Sequence, residues 1–383
     1  MIPHEIDIAI GMERYYYDNW TELDGNITRP DGFSVTEEID YKPATEWKGE
    51  NTGKYAVYLL NKKSVDHFLV INELQKILKN KIKYLGIKDA NAITSQLIYI
   101  EIYNKKVNIE LIREYNTGNF SIKFLGFASQ KLNHTGNIFK ITINTNNINE
   151  IKERIQEISK DPFLPAFIGY QRFGSRRPIS HVVGKFLLKR DWKNAFYSIV
   201  SYPFLSESEE MRQFRRLILE DRFDEALNRL SVKFKQEQKL IKSYIRFRNY
   251  YLALKNSLIP ISLYLDAYQS YLFNIYLSRK LDELKKYNDK EKLYIRLPIY
   301  YNDCDEICKE IYLTEGIEKD FFKLKEFKIS LKDLVRKAFM KIRNIKIEKV
   351  SDNSITISFS IDRGMYATVL LREIIRGDPR KFT

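Results

Sequence analysis

The sequence is poor in the residues that most familiar catalytic chemistries need. Its 383 residues hold two cysteines, four histidines and three tryptophans. Cys304 and Cys308 form a C-x-x-x-C pair with the histidines scattered elsewhere, which makes no zinc site. Both are expected as free thiols of a protein in a reducing, cytoplasmic environment. No apolar run reaches the roughly 18 residues of a membrane span. The opening MIPHEIDIAIGMERYYYDNW lacks the basic start and apolar block of a secretory signal. There is no P-loop, no G-x-G-x-x-G after a strand and no H-E-x-x-H. His134 and His181 stand apart from any Ser or Cys nucleophile pattern. The polar turns offer one carboxylate at a time, where a glycosidase needs two across a cleft. An enzyme built from this chain is expected to work with few groups, with no cofactor and no metal.

What is present is a large, basic, aromatic chain. Hydrophobic residues make up 44% and charged residues 30%, with a formal net charge of +14. The length suits two or three domains with a sizeable core. Residues 1–54 carry 12 acids against 5 Lys+Arg, a net of −7, so the remainder carries +21. A basic body beside an acidic segment points to a polyanionic partner, most simply nucleic acid. A lysine-rich solvated surface of a heat-loving protein gives the same balance.

Read in order, residues 1–29 look like an acidic arm packed on the main body. A turn at Pro30-Asp31-Gly32 precedes a strand in which Phe33, Val35 and Glu37 alternate with Ser34 and Thr36. Strands are expected at Lys54–Leu60, Phe120–Ala128 and Asn133–Thr145. Helices are expected after Ser64 as cap, at Ile109–Tyr115 and at Asn149–Lys160. Near Asp161 the pattern changes. From Arg172 to Lys255 there are 19 Lys+Arg and 9 acids, and the periodicity is helical at Asp191–Ile199, Glu207–Glu220, Arg222–Leu230, Gln236–Ala253 and Ser262–Lys285. Strand patterns return at Leu293–Ile299, Ile345–Val350 and Ser354–Ile361, and a last helix follows Gly364. The fold class is therefore α+β: a discontinuous mixed or antiparallel sheet domain (30–165 and 336–383) interrupted by a basic, mainly helical insertion (166–335).

The stretch KIKYLGIKDANAITSQLIYIEIY, Lys81–Tyr103, reads as strand, polar turn, strand, with Asp89 as the lone acid of the turn. Taken alone, such an aspartate is most simply a turn residue or a helix N-cap. Its company is more specific. GIKDANAITSQ resembles the G-x-K-D-x-x-A-x-T-x-Q signature of the TruD-type pseudouridine synthases. GNIF at Gly136–Phe139 resembles that family's G-N-x-F, and GYQRFG at Gly169–Gly174 resembles the end of its Y-F-G-x-Q-R-F-G. AYQSYLFN (Ala267–Asn274), SFSIDRGMYATVLLREI (Ser358–Ile374) and PDGFSVTEEI (Pro30–Ile39) match three further blocks, in the family order. Two departures stand out. Asp31-Gly32 replaces the usual Glu-Asp, and Ile27 occupies the place of a basic residue three before the proline, with Arg29 directly preceding Pro30.

The resemblance implies a discontinuous pseudouridine synthase catalytic domain with a helical insertion, acting on tRNA uridine, chiefly position 13 and in some relatives position 35. It implies Asp89 as the catalytic nucleophile. It implies Phe33, Lys88, Asn137, Phe139 and Tyr366 around the flipped uridine, with Lys88 at a phosphate or in the structure of the loop. Phe33 is expected exposed beside its Pro-Gly turn. Arg172, Arg176, Arg177, Lys185 and Arg363 are candidates for RNA phosphates. No membrane and no obligate protein partner are implied. Two other readings compete: an RNA-folding chaperone that keeps the scaffold with weak or no catalysis, and a nucleoside glycosidase releasing free base.

Overall fold

Apolar alternation writes most of the central sheet. The computed structural model describes residues 1–102, 112–174, 177–204, 207–230, 234–318 and 320–383. The strands are β1 (Phe33–Ile39), β2 (Lys42–Pro43), β3 (Tyr55–Lys63), β4 (Ile82–Tyr84), β5 (Ile93–Glu101), β6 (Glu114–Asn116), β7 (Phe120–Ala128), β8 (His134–Asn144), β9 (Phe163–Pro165), β10 (Tyr294–Leu297), β11 (Lys323–Leu324), β12 (Ile329–Ser330), β13 (Leu334–Lys337), β14 (Phe339–Lys341), β15 (Arg343–Ser351) and β16 (Ser354–Asp362). Ten of them form one sheet in the order β15-β16-β8-β1-β5-β3-β7-β6, with β2 on β1 and β4 on β5. All its pairs are antiparallel except β1 with β5. The fold is a mixed-sheet α+β fold.

The helices are α1 (Glu5–Ala9), α2 (His67–Ile77), α3 (Ile148–Lys160), α4 (Ser180–Leu188), α5 (Trp192–Val200), α6 (Glu209–Leu219), α7 (Phe223–Arg229), α8 (Lys235–Phe247), α9 (Tyr250–Lys255), α10 (Ile261–Leu284), α11 (Glu306–Glu315) and α12 (Ala367–Ile375). Alternation puts Ile355, Ile357, Phe359 and Ile361 of β16 on one face with Ile141 and Ile143 of β8, all buried in a core shared with Ile151, Ile155 and Ile158 of α3. Each such side chain contributes about 1.5–3 kcal/mol by leaving water. α2 covers the other half of the sheet, laying Val70, Ile71 and Leu74 on Tyr58, Leu60 and Ile98. Among the helices, α4 crosses α10 closely because Gly184 lacks a side chain: a Cβ there would stand 2.0 Å from the Tyr264 carbonyl oxygen.

The two ends of the helical stretch meet. β9 pairs with β14, Leu164 opposite Met340, so the chain leaves and re-enters the sheet region side by side. β15 and β16 then extend the sheet from β8, with Ile357 opposite Ile141. The acidic arm is held by a buried ion pair and by backbone hydrogen bonds to a buried carboxylate. Arg372 Nε lies 2.9 Å from Asp7 Oδ2, and the Glu373 carboxylate accepts the Tyr16 and Tyr17 amides at 3.1 Å.

Several sequence expectations need correction. Asp66, not Ser64, caps α2, accepting the Phe68 and Leu69 amides at 2.9 and 3.1 Å. Of the helix expected at Ile109–Tyr115, residues 109–111 lie outside the described residues; the described remainder is not helical, and Glu114 and Tyr115 belong to strand β6. The single helix expected at Gln236–Ala253 is broken into α8 and α9. Arg248 takes a left-handed conformation (φ 48°), and Asn249 caps the next helix through the Leu252 amide. Helix α4 went unrecognised because its apolar residues run nearly all round. Cys304 and Cys308 are joined in a disulfide, not free. Asp305 between them caps α11 through the Cys308 amide at 2.9 Å, and the helical turn brings the two Cα atoms to 5.2 Å, inside the usual range.

Candidate active site

The polar turn expected between two strands is there. β4 and β5 pair antiparallel, Ile82 opposite Ile100, and residues 85–92 connect them with Asp89 at their middle. The turn has little regular structure of its own, so buried charges must hold it.

Lys88 supplies the first hold. Its Nζ lies 2.8 Å from Glu37 Oε1 and donates to Asn137 Oδ1 at 3.0 Å. Glu37 on β1 and Asn137 on β8 are cross-strand partners, so one ammonium bridges a single rung of the sheet. Lys88 is 6% exposed and Glu37 fully buried. The second Glu37 oxygen accepts the Leu97 amide at 3.0 Å, which ties β5 to the same rung. Lys88 therefore belongs to the structure of the loop and is closed off from phosphate. Adjacent residues of the turn point opposite ways, Lys88 inward and Asp89 outward.

Lys62 supplies the second hold. It is 2% exposed, and its Nζ donates to the backbone carbonyl of Asp89 and, at 3.1 Å, to that of Val65. Burial pulls its ammonium below the usual lysine range, and the nearby Asp89 opposes that shift. His67, at the start of α2, is buried against Tyr84 with its ring centroid 4.5 Å away. Burial lowers its pKa, helped next by the Lys62 charge, so it stays neutral. Two buried ammonium groups thus fix the loop on either side of Asp89, one through the side chain before it and one through its own carbonyl.

The Asp89 carboxylate itself remains 47% exposed. Among the described residues its ion-pair partner is Arg29, with Nη1 at 3.8 Å from Oδ2. The Arg29 guanidinium lies 3.8 Å above the Phe33 ring centroid and also reaches the Asn91 carbonyl at 3.4 Å. Burial lowers the Arg29 pKa and Asp89 counters it. Arg29, directly before Pro30, is thus the cation that faces both Asp89 and the Phe33 ring. Phe33 sits edge-on to Phe139 at 6.0 Å, and Phe139 stacks on Phe359 at 5.3 Å. Phe33 is 2% exposed, which corrects the expectation that it stands free beside its turn: its ring is covered by Arg29 and Phe139.

The remaining candidates fall elsewhere. Tyr366 is half-buried before α12, with its ring over Gly169. A Cβ at residue 169 would stand 2.8 Å from two atoms of that ring, so the glycine of GYQRFG makes room for it. Arg336 is beside it and donates to the Gly364 carbonyl at 3.0 Å. Arg172 lies within electrostatic reach of Arg336 and of Asp266, whose carboxyl is pushed up by burial and drawn back by Arg172. Arg363 is exposed, and its amide donates to the Thr135 carbonyl at 3.0 Å, beside the Asn137 end of β8. Among the described residues no ion pair or hydrogen bond joins Tyr366, Arg172 or Arg336 to Asp89. Lys185 is paired with Glu315 at 2.7 Å. Arg177 is turned inward, with Nη1 and Nη2 donating to the Ile199 and Ser198 carbonyls at 2.9 and 2.7 Å. Burial, then the charge of Arg215, lowers its pKa to about 10. It closes the C-terminal end of α5 and faces away from solvent, against the expectation of a phosphate contact. Arg176 lies outside the described residues. No group of His, Cys, Asp and Glu suited to a metal ion occurs among the described residues.

Comparison with known proteins decides the family. The family model for tRNA pseudouridine synthase D (TruD) matches residues 9–292 and 298–374. The chain belongs to the TruD family. This TruD chain is 64% identical over 383 residues, all of both proteins, to a Saccharolobus solfataricus protein named "Probable tRNA pseudouridine synthase D". It is 49% identical over 376 residues to a Sulfurisphaera tokodaii protein of the same name, covering 98% of this chain and 100% of the relative. A crystal structure of a Methanosarcina mazei protein assigned to TruD covers both chains fully with a TM-score of 0.75 at 24% identity, a likeness of fold. TruD is an isomerase family.

Sequence reading missed Glu37 and Lys62 and left Arg29 without a role. Two of them carried a signal. Glu37 shares the apolar face of β1 with Phe33 and Val35, and Lys62 shares the inward face of β3 with Tyr58 and Leu60. A charge on a buried face requires a partner.

Proposed function

We propose that this protein converts uridine to pseudouridine in tRNA, at position 13 and in some tRNAs at position 35, with Asp89 as nucleophile. The observation that carries the reading is the division of labour in the 85–92 loop: its backbone is fixed by buried Lys62 and Lys88, while the Asp89 carboxylate stays open to solvent. A flipped uridine brings its anomeric carbon to that carboxylate. The Asp89 oxygen bonds to C1′ as the C1′–N1 bond breaks, and the uracil anion leaves with the bonding pair. The base turns and its C5 attacks C1′, expelling the carboxylate. C5 then loses its proton and N1 gains one, so atoms balance with no redox partner. Arg29 provides a cation 3.8 Å from the free carboxylate, beside the group that is expelled in the last step. The buried aromatic series Phe33, Phe139 and Phe359 supports an apolar floor that limits water at the cleaved bond. Residues 166–335, with their excess of cations, would hold the folded RNA by shape and phosphates. Somewhat under half of the chain thus serves binding and one loop serves chemistry.

The test is pseudouridine mapping in bulk tRNA treated with purified protein, beside Asp89→Asn. Conversion at a defined position by the native chain alone supports the reading. Conversion by the variant at a near-native rate overturns the assignment of Asp89. Free uracil as product overturns the isomerase reading itself.

A further inference from the structure

We infer that the outer face of α8 is a docking surface for an RNA sugar-phosphate backbone. Lys235, Lys239, Lys242 and Arg246 are spaced 4, 3 and 4 residues apart on this helix. At 100° per residue they fall on one stripe, running about 16 Å along the axis. All four are exposed. None takes part in an ion pair among the described residues, and Arg246 rests only on the ring of Phe247 at 5.1 Å. The opposite face carries the helix's packing: Leu240 and Ile241 are fully buried, and Glu237, the one acid of α8, points to Arg215 at 3.4 Å. No acid therefore lies on the stripe from its own helix. The stripe lines a groove of about 520 Å³, edged by exposed Phe247 and Leu258, and no carboxylate lines it.

A charged helix face is usually just a solvated face, and the neighbouring helices show what that looks like here. Arg222 is paired with Glu220 at 2.8 Å and Glu225 at 2.5 Å, and Arg229 with Glu225 at 3.1 Å. Arg212 is paired with Glu209 at 2.7 Å. Along α6 and α7 each of these cations has a carboxylate partner. On α8 four cations in a row have none, and mutual repulsion is left uncompensated until a polyanion arrives. The groove beside them, with an aromatic edge, fits a ribose-phosphate chain. The identity of the polyanion as RNA rests on the function proposed above. The surface adds contacts that none of Arg172, Arg176, Arg177, Lys185 and Arg363 provides.

The test compares two charge-matched double variants. Lys239→Gln/Lys242→Gln removes two unpaired cations, and Arg222→Gln/Arg229→Gln removes two paired ones. All four sites are exposed and Gln is a good helix former, so both proteins fold. tRNA binding is titrated from 50 to 300 mM salt, and turnover is measured at saturating tRNA. The stripe variant is expected to bind about tenfold more weakly near 150 mM salt. Its log–log salt slope should be shallower by about 1.5, the yield of two lost phosphate contacts, with saturated turnover unchanged. The control should change less than twofold. Equal effects from the two variants, or none from the stripe, overturn the proposal. An effect confined to polyglutamate binding, run in parallel, also overturns it by replacing RNA with an acidic protein. If the native chain forms no pseudouridine yet the stripe variant alone loses tRNA affinity, the docking surface stands and the catalytic reading falls.

Discussion

The loop around Asp89 and the outer face of α8 handle charge in opposite ways. In the loop every charge but one is buried and engaged: Glu37, Lys88 and Lys62 share hydrogen bonds across three strands, and only the Asp89 carboxylate looks out. On α8 the cations are exposed and unpaired. A buried, mutually satisfied network sets geometry, because removing one member strands another without solvent. An exposed, unsatisfied stripe sets no geometry and waits for a partner. Substitutions in the first should therefore damage turnover at saturating RNA, and substitutions in the second should damage affinity alone.

The comparison breaks first, if it breaks, at Glu37. Glu37→Gln leaves the Lys88 ammonium buried without its carboxylate. Turnover at saturating tRNA should fall about 100-fold, the scale of a roughly 1 Å displacement of a reacting group, with tRNA affinity within about threefold of native. A large loss of affinity with turnover intact would place Glu37 among the binding groups instead. Lys62→Met removes a donor to the Asp89 carbonyl and should cost about tenfold in turnover, or roughly 1.4 kcal/mol in the barrier. Lys62→Arg should recover part of that loss.

The helical half contains its own buried network, and it should affect stability only. Arg215 is 1% exposed, lies 2.6 Å from Glu207 and donates to the Ile199 and Val200 carbonyls, next to the bonds made by Arg177. Arg177→Gln should lower unfolding free energy by about 2–3 kcal/mol in a denaturant titration, since charged hydrogen bonds of this kind are worth about 1.5–3. The tRNA salt slope should not move. A change in slope by about one would return Arg177 to the RNA contacts.

His181 gives a pH-dependent effect. It is buried between the Phe173 and Tyr271 rings, centroids 5.4 and 5.0 Å away, and burial lowers its pKa to about 4. The unfolded imidazole, near 6.5, binds a proton that the folded one refuses. Its contribution is therefore complete above about pH 6.5 and is lost as pH falls toward 4. The loss amounts to roughly 3 kcal/mol across that window. His181→Phe should flatten the stability profile between pH 6.5 and 4. An unchanged profile would show that other groups govern acid unfolding. Smaller still is Lys185→Gln, which takes the cation from the buried Glu315 carboxylate but leaves it the Tyr268 hydroxyl at 2.8 Å; unfolding free energy should fall by about 1–2 kcal/mol with binding within twofold.

How far the sequence carries differs between the two regions for the same physical reason. The strands around Asp89 were legible because period-two alternation is local: β4, β5, β7 and β8 fall where the pattern puts them. The direction of Lys88 was not, because its partners are 51 residues before and 49 residues after it, on strands whose register only folding brings together. The break between α8 and α9 escaped because apolar spacing continues across Arg248, while the cap that ends one helix and starts the next is a backbone event. The stripe on α8, by contrast, was written in plain 4-3-4 spacing. What made it informative was the absence of partners, and that needed the neighbouring helices in place.

The most direct test of the account is tritium release from tRNA carrying uridine labelled at C5, with native protein and Asp89→Asn at equal, saturating occupancy. The account predicts release with the native chain, none above background with the variant, and equal tRNA affinity and thermal midpoint for the two. Release by Asp89→Asn at a near-native rate would contradict it, since a fixed loop that presents no nucleophile would leave the Glu37–Lys88–Asn137 and Lys62 contacts without a catalytic purpose.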